Sequence, residues 1–413
     1  MTKKSMVINQ NSIFKGLSFL VLIELVLGGS GKVISFGPLS LRMVLLGIVL
    51  ICEFILLLEK KLYLSRNDFL LLIILFYFLI NSCFSSFSNR TSDILDVLLG
   101  YLTILICPFF IYLCRTNQDI YKMYYKLFMR CSLIMAVMSI VFWLYSFFNG
   151  RSIYYSFMVR LNQESYSRMG FIGNIPRIFL KGSIFVCIAF VFSFYQVLVH
   201  KNTKNIIIMV IFLVATIMTF TLGFYFAVII TTILVAANVY KFRRRNVISI
   251  LVIAIPIMLF LYSRLGIGDI LIDKFSNGYS SSARIIQLRI VLNKFFDFPS
   301  LLIGKGLGTR FYVDYGYEIK DFYNLEIMWL QVLADTGIVG FALYFGYIIS
   351  IIGRLRRRYI YTEIFEFYLF SIGLLIMCLV SFVNPFLNNA IGLVFFSICV
   401  GLTYAGEEQV LTQ

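Results

Sequence analysis

Arginines suited to gripping phosphate gather in two polar stretches of an otherwise apolar chain. Residues 149–177 hold Arg151, Arg160, Arg168 and Arg177, with Lys181 just beyond; residues 263–326 hold Arg264, Arg284, Arg289 and Arg310 among Lys274, Lys294, Lys305 and Lys320. A planar guanidinium donates two parallel N–H bonds to phosphate oxygens, so these positions are candidates for anion binding. The longer stretch closes on Phe311-Tyr-Val-Asp-Tyr-Gly-Tyr-Glu-Ile-Lys-Asp-Phe-Tyr-Asn-Leu-Glu326, where rings alternate with carboxylates. Rings can stack on the CH faces of a sugar while carboxylates take its hydroxyls; the plainer reading is an aromatic belt at a membrane surface. Glu326 stands where this loop meets an apolar helix. It could accept a proton there, or merely favour the helix dipole by ~0.3–1 kcal/mol.

Between these groups, Ala283 to Phe296 has apolar residues over much of a helical surface, with Arg284, Arg289 and Lys294 among them. That pattern predicts a helix lying at the membrane surface. Arg284 and Arg289 are five positions apart and so do not share one helical face. The run Gly304-Lys-Gly-Leu-Gly308 lacks the preceding strand and downstream fingerprint of a nucleotide loop, and reads as a structural bend.

The elements that must carry these groups are set by hydropathy. Of 413 residues 60% are hydrophobic and 14% charged, and mean hydropathy is +0.91. This predicts a polytopic, all-α membrane protein forming one transmembrane domain. Apolar blocks fall at 13–27, 39–58, 69–86, 94–114, 128–148, 178–199, 206–220, 224–240, 247–262, 327–353, 362–383 and 387–404. They predict about twelve spans, with a smaller external loop at 149–177 and a large one at 263–326 between helices 9 and 10. Lys60, Lys61, Arg66, Arg115, Lys122, Lys126, Arg130, Lys201, Lys204, Lys241 and Arg354-Leu-Arg-Arg-Arg358 fall in alternate connections. By the positive-inside bias those connections and both termini are cytoplasmic. The cations of the two polar loops break that bias, which points to an anion at the outer face. Long loops also cross regardless of charge, so solvated side chains are the other reading.

The net charge of +16 is dispersed in short clusters, which argues against nucleic acid as a partner. The eight cysteines show no CxxC spacing, and His200 is the lone histidine, so no metal site or cofactor is expected. Glu24 and Arg42 are placed to pair across the first helical hairpin. Glu53, inside an apolar block, has no evident partner.

Three features together resemble the O-antigen ligase and Wzy-type polysaccharide polymerase superfamily of bacterial envelopes. They are Ser282-Ala-Arg284, the glycine turn at 304–308, and Glu326-Ile-Met-Trp-Leu-Gln-Val-Leu-Ala-Asp-Thr-Gly337-Ile-Val-Gly340. Arg168-Met-Gly-Phe and Asn174-Ile-Pro176 are similar to a further family signature. Ligases of the superfamily carry histidine where this chain has Glu326, and His200 is expected on the opposite side, so the resemblance favours the polymerase branch. Many relatives also place an arginine before the glycine of the hairpin that here reads Thr221-Leu-Gly-Phe. The resemblance implies joining of polyprenyl-pyrophosphate-linked oligosaccharides into a surface polysaccharide at the outer face of the cytoplasmic membrane. A flippase and a chain-length regulator are the implied partners. It gives Glu326 the role of base, and Arg284, Arg289, Arg168, Arg177 and Arg310 that of holding substrate. A lipid-linked oligosaccharide flippase or transporter is the rival from another class, though neither an internal repeat nor paired broken helices are evident. A ligase is the same chemistry with another acceptor.

Overall fold

The computed structural model describes residues 10–29, 35–36, 39–62, 68–87, 89–161, 167–172, 175–241, 286–291, 293, 299–314, 319–323 and 325–405. Helices dominate. Among the described residues, seven are long and apolar enough to cross a membrane: α1 (Gln10–Leu27), α2 (Leu41–Leu58), α4 (Thr91–Leu102) with its continuation α5 (Cys107–Thr116), α6 (Ile120–Leu161), α7 (Ser183–His200), α9 (Leu222–Val239) and α10 (Met328–Thr362). Four apolar helices are shorter: α3 (Phe69–Ser85), α8 (Thr203–Ile217), α11 (Phe365–Val380) and α12 (Ala390–Leu402). The chain is thus a helical, multi-pass membrane protein. The block expected at 247–262 lies outside the described residues.

Small two-stranded hairpins accompany the helices: β1 (Ser35–Phe36) with β2 (Leu39–Ser40), β3 (Ser167–Ile172) with β4 (Ile175–Leu180), and β5 (Phe311–Asp314) with β6 (Ile319–Phe322). The latter two occupy the polar stretches. Within 149–177, therefore, α6 runs on to Leu161 and a hairpin follows, and residues 178–180, expected in a helix, are strand. The expected start was early because Ile178, Phe179 and Leu180 are apolar whichever way the backbone turns.

Lipid offers no hydrophobic drive between helices, so close packing and buried polar bonds hold them. Phe128 of α6 centres an aromatic cluster, its ring 5.5–6.3 Å from those of Phe185, Phe192, Phe370 and Phe395. This joins α6, α7, α11 and α12. Arg42 and Glu24 form the expected pair, Nε to Oε2 at 2.7 Å, and Arg42 Nη2 also donates to the Gly29 carbonyl. Both side chains are about 6% exposed. Arg42→Lys keeps the charge but loses the fork, and should lower the thermal midpoint by an amount worth about 1.5 kcal/mol or more. Glu53, without an evident partner in the sequence, accepts from the Phe109 amide at 3.1 Å.

Connections gather at two opposite ends. At one, the Gln10 side chain meets Glu59 and Lys61, Asn11 meets Asn117, and Tyr404 bonds Asp68 and Arg354 beneath the Arg115 guanidinium. The expected basic connections among the described residues, near Lys60, Arg115, Lys201, Lys241 and Arg354, lie here with both ends of the described chain. At the other end lie the turns at 86–90, 218–222, 304–310 and 381–389, together with the β3–β4 and β5–β6 hairpins.

Candidate functional site

The site grows from a crossing of two backbones. α10 is interrupted at Gly337, where φ is 70° and ψ −175°, a conformation essentially confined to glycine. A Cβ at Gly337 would lie 2.2 Å from the Leu302 carbonyl oxygen, and one at Gly304 would lie 2.2 Å from that of Asp335. The glycine turn and the Gly337-x-x-Gly340 segment, separate motifs in the sequence, are therefore pressed together. Lys305 N donates to the Ala334 carbonyl at 2.9 Å and Gly306 N to that of Asp335 at 3.0 Å. These bonds occupy carbonyls that the break in α10 would otherwise leave orphaned.

α3 clamps the crossing from below. Asn81 Nδ2 donates to the Ile303 and Asp335 carbonyls, both at 3.1 Å, and its Oδ1 accepts from Leu307 N at 2.9 Å. Tyr77 donates to the Thr336 carbonyl at 2.7 Å. Asn89 holds the far side of the turn through the Leu307 carbonyl and Thr309. The bend expected at 304–308 is thus a bonded hub seated against the break in α10.

Glu326 sits two residues before α10. Its backbone N–H donates to Gln287 Oε1 at 3.3 Å, and the preceding Leu325 N–H donates to Gln331 Oε1 at 2.7 Å. Gln331 in turn donates through Nε2 to Asp335 Oδ2 at 2.7 Å. Buried Asp335, an acceptor, thereby sets which end of the Gln331 amide faces Leu325. Residues 286–291 are helical. Val291 packs with Phe311, Leu325, Leu330 and Ala334 in a small core of its own. This seats the helical segment against the approach to Glu326, with Gln287 buried and Arg289 exposed. Arg284 lies outside the described residues.

Arg310 is engaged by Asp93 at the start of α4, Nε to Oδ2 at 2.5 Å. Its guanidinium also lies 5.9 Å from the Tyr323 ring centre, and Tyr323 donates to Asp96 at 3.0 Å. Burial, then the bond to Asp96, pushes the Tyr323 phenol up, so it remains a donor at neutral pH. Two carboxylates of α4 thus dock β5–β6. Tyr323→Phe should weaken this docking by about 0.5–1.5 kcal/mol, read as faster hydrogen exchange of the 311–323 amides without global unfolding.

In the other hairpin, Arg168 is paired along the backbone with Phe179, and Arg177 with Gly170. Arg177 Nε donates to the Thr219 carbonyl at 3.1 Å, and Nη2 reaches Thr221 Oγ1 at 3.4 Å. A guanidinium therefore does stand at the Thr221-Leu-Gly-Phe hairpin, supplied from β4 rather than from the hairpin itself. That turn packs on the next: a Cβ at Gly223 would strike Val383, the Phe224 and Phe386 rings lie 6.1 Å apart, and Met328 N donates to the Ser381 carbonyl. Through these turns Arg177 and Glu326 share one end of the bundle. His200 closes α7, exposed, at the far end of that helix from β4.

Asn81, Gln287, Gln331, Asp335, Asp93 and Asp96 were not singled out from the sequence. Asn81, in a polar run inside an apolar block, carried a signal, since polar side chains within a span are retained for bonds between helices. No group of three or more metal-ligating side chains occurs among the described residues. No protein-family model matches the chain, and no curated protein does.

Proposed function

We propose that the chain is a polysaccharide polymerase with about twelve spans and both termini cytoplasmic, acting at the outer face of a bacterial cytoplasmic membrane. Its substrates are oligosaccharide repeat units carried on polyprenyl pyrophosphate. The observation that carries this reading is the setting of Glu326. It is a carboxylate just before a broken helix, tied by its own backbone to a helical segment bearing Arg289, and the glycine hub braces the break in that same helix at Gly337.

In the reaction, an acceptor hydroxyl of one lipid-linked repeat attacks the anomeric carbon of the growing glycan. The bond from that carbon to the pyrophosphate oxygen breaks, a glycosidic C–O bond forms, and the hydroxyl proton passes to the Glu326 carboxylate. Polyprenyl pyrophosphate leaves with the displaced electron pair. Arg284 and Arg289 offset its charge, with Arg168 and Arg177 contributing from the other loop. Arg310, held by Asp93, serves the position of the β5–β6 hairpin as well as the local positive field. A flippase and a chain-length regulator would be its partners.

The test is the length of surface glycan, by gel, in a strain deleted for this gene. Single repeat units at the surface, restored to polymer by the wild-type gene, are expected. Loss of all surface glycan, with lipid-linked repeats held inside, would instead make the chain a flippase.

A further inference from the structure

A cleft of a different character lies at the opposite end of the bundle from Glu326. It opens where the C-terminal ends of α2 and α5 approach each other and has a volume of about 730 Å³. This is within the ~300–1,000 Å³ usual for small-molecule sites. Lys60, Lys61 and Arg115 line it against the single carboxylate of Glu59. Lys61 is spent locally, 2.8 Å from Glu59 Oε2 and donating to Gln10 Oε1 at 3.2 Å, so the lining keeps an excess of positive charge. Lys60 is exposed, and among the described residues it has no ion-pair partner. It lies at the end of α2 with φ 55°, its amide bonded back to the Leu57 carbonyl.

Leu62, Pro108, Ile111 and the Tyr112 ring give the cleft an apolar side, and Thr116 and Gln118 add neutral polar groups. The apolar side continues onto the outer face of α2, where Phe54, Leu57 and Leu58 are 60%, 58% and 68% exposed. Cations at helix C-termini also offset the carbonyl dipole, but that role calls for neither a cleft nor an apolar wall. Cations at the mouth and a hydrocarbon surface leading away from it suit an amphiphile with an anionic head. We propose that this cleft binds the phosphate head of an anionic phospholipid, its acyl chains lying along α2.

The test is thermal unfolding of the full-length protein in detergent, with added dioleoylphosphatidylglycerol, dioleoylphosphatidylcholine or inorganic phosphate. The anionic lipid should raise the midpoint more than the zwitterionic one. The doubly substituted Lys60→Gln/Lys61→Gln protein should lose at least half of that difference, because it removes cations from a solvated rim and leaves the core intact. Lys201→Gln/Lys204→Gln, at the same end but outside the cleft, should retain it. The proposal is overturned if the two lipids act alike, if the cleft variant keeps the full difference, or if the control pair loses as much. An equal rise with inorganic phosphate would assign the site to free phosphate and overturn the lipid as occupant.

Discussion

If the chain is the proposed polymerase, cells whose sole copy of the gene carries Glu326→Gln should display single repeat units in place of long polymer. Removing a general base slows such a transfer by about 10²–10⁴-fold, enough to leave chains unextended within a generation. The substitution is conservative for the fold. The bond that anchors the position is made by the Glu326 backbone amide to Gln287, and the neighbouring amide is held by Gln331; glutamine keeps both. Purified E326Q should therefore unfold within a degree or two of wild type, roughly the scatter of a neutral surface change. Normal polymer from a well-expressed E326Q would remove Glu326 from the chemistry and leave the fold untouched. Arg289→Ala, on the exposed side of the helical segment, should shorten the chains without changing the midpoint.

Gly337→Ala should act by the opposite route. At φ 70° and ψ −175° an L-residue is strained by roughly 1–3 kcal/mol. The added methyl would also sit 2.2 Å from the Leu302 carbonyl oxygen and 2.5 Å from Gly304 N. Both are backbone atoms of a turn bonded on every side, so neither can rotate away as a side chain would. The expected result is a loss of more than about 3 kcal/mol, seen as poor membrane accumulation and a strongly lowered midpoint. Gly346→Ala, on the same helix with open space around its Cβ position, should be neutral or slightly stabilising. If G337A were as stable as G346A, the crossing of α10 over the 302–306 turn would be wrong.

Much of the scaffold was legible because a membrane imposes long apolar blocks, and α1, α2, α9 and α12 fall close to where hydropathy puts them. The Glu24 to Arg42 pair was legible too, since opposite charges near the ends of a short helical hairpin have few other places to go. The hairpins were not. Residues 167–180 carry a Gly-Asn pair between apolar runs, a turn signal, but one that hydropathy averaging over a span-length window cannot register. Nor does periodicity link Asn81 to a glycine turn more than two hundred residues downstream, because the link depends on which helices become neighbours. Arg310 shows the same limit: its cationic character was readable, while its partner Asp93 could be found only from the packing of α4 against the large loop.

The most direct measurement of the central claim uses the wild-type protein, purified and reconstituted into vesicles with the lipid-linked repeat unit extracted from the deletion strain. A ladder of glycans longer than one repeat, with polyprenyl pyrophosphate released in step with each bond formed, is the predicted result. Repeat units that remain single yet cross the bilayer would contradict it and make the chain a transporter.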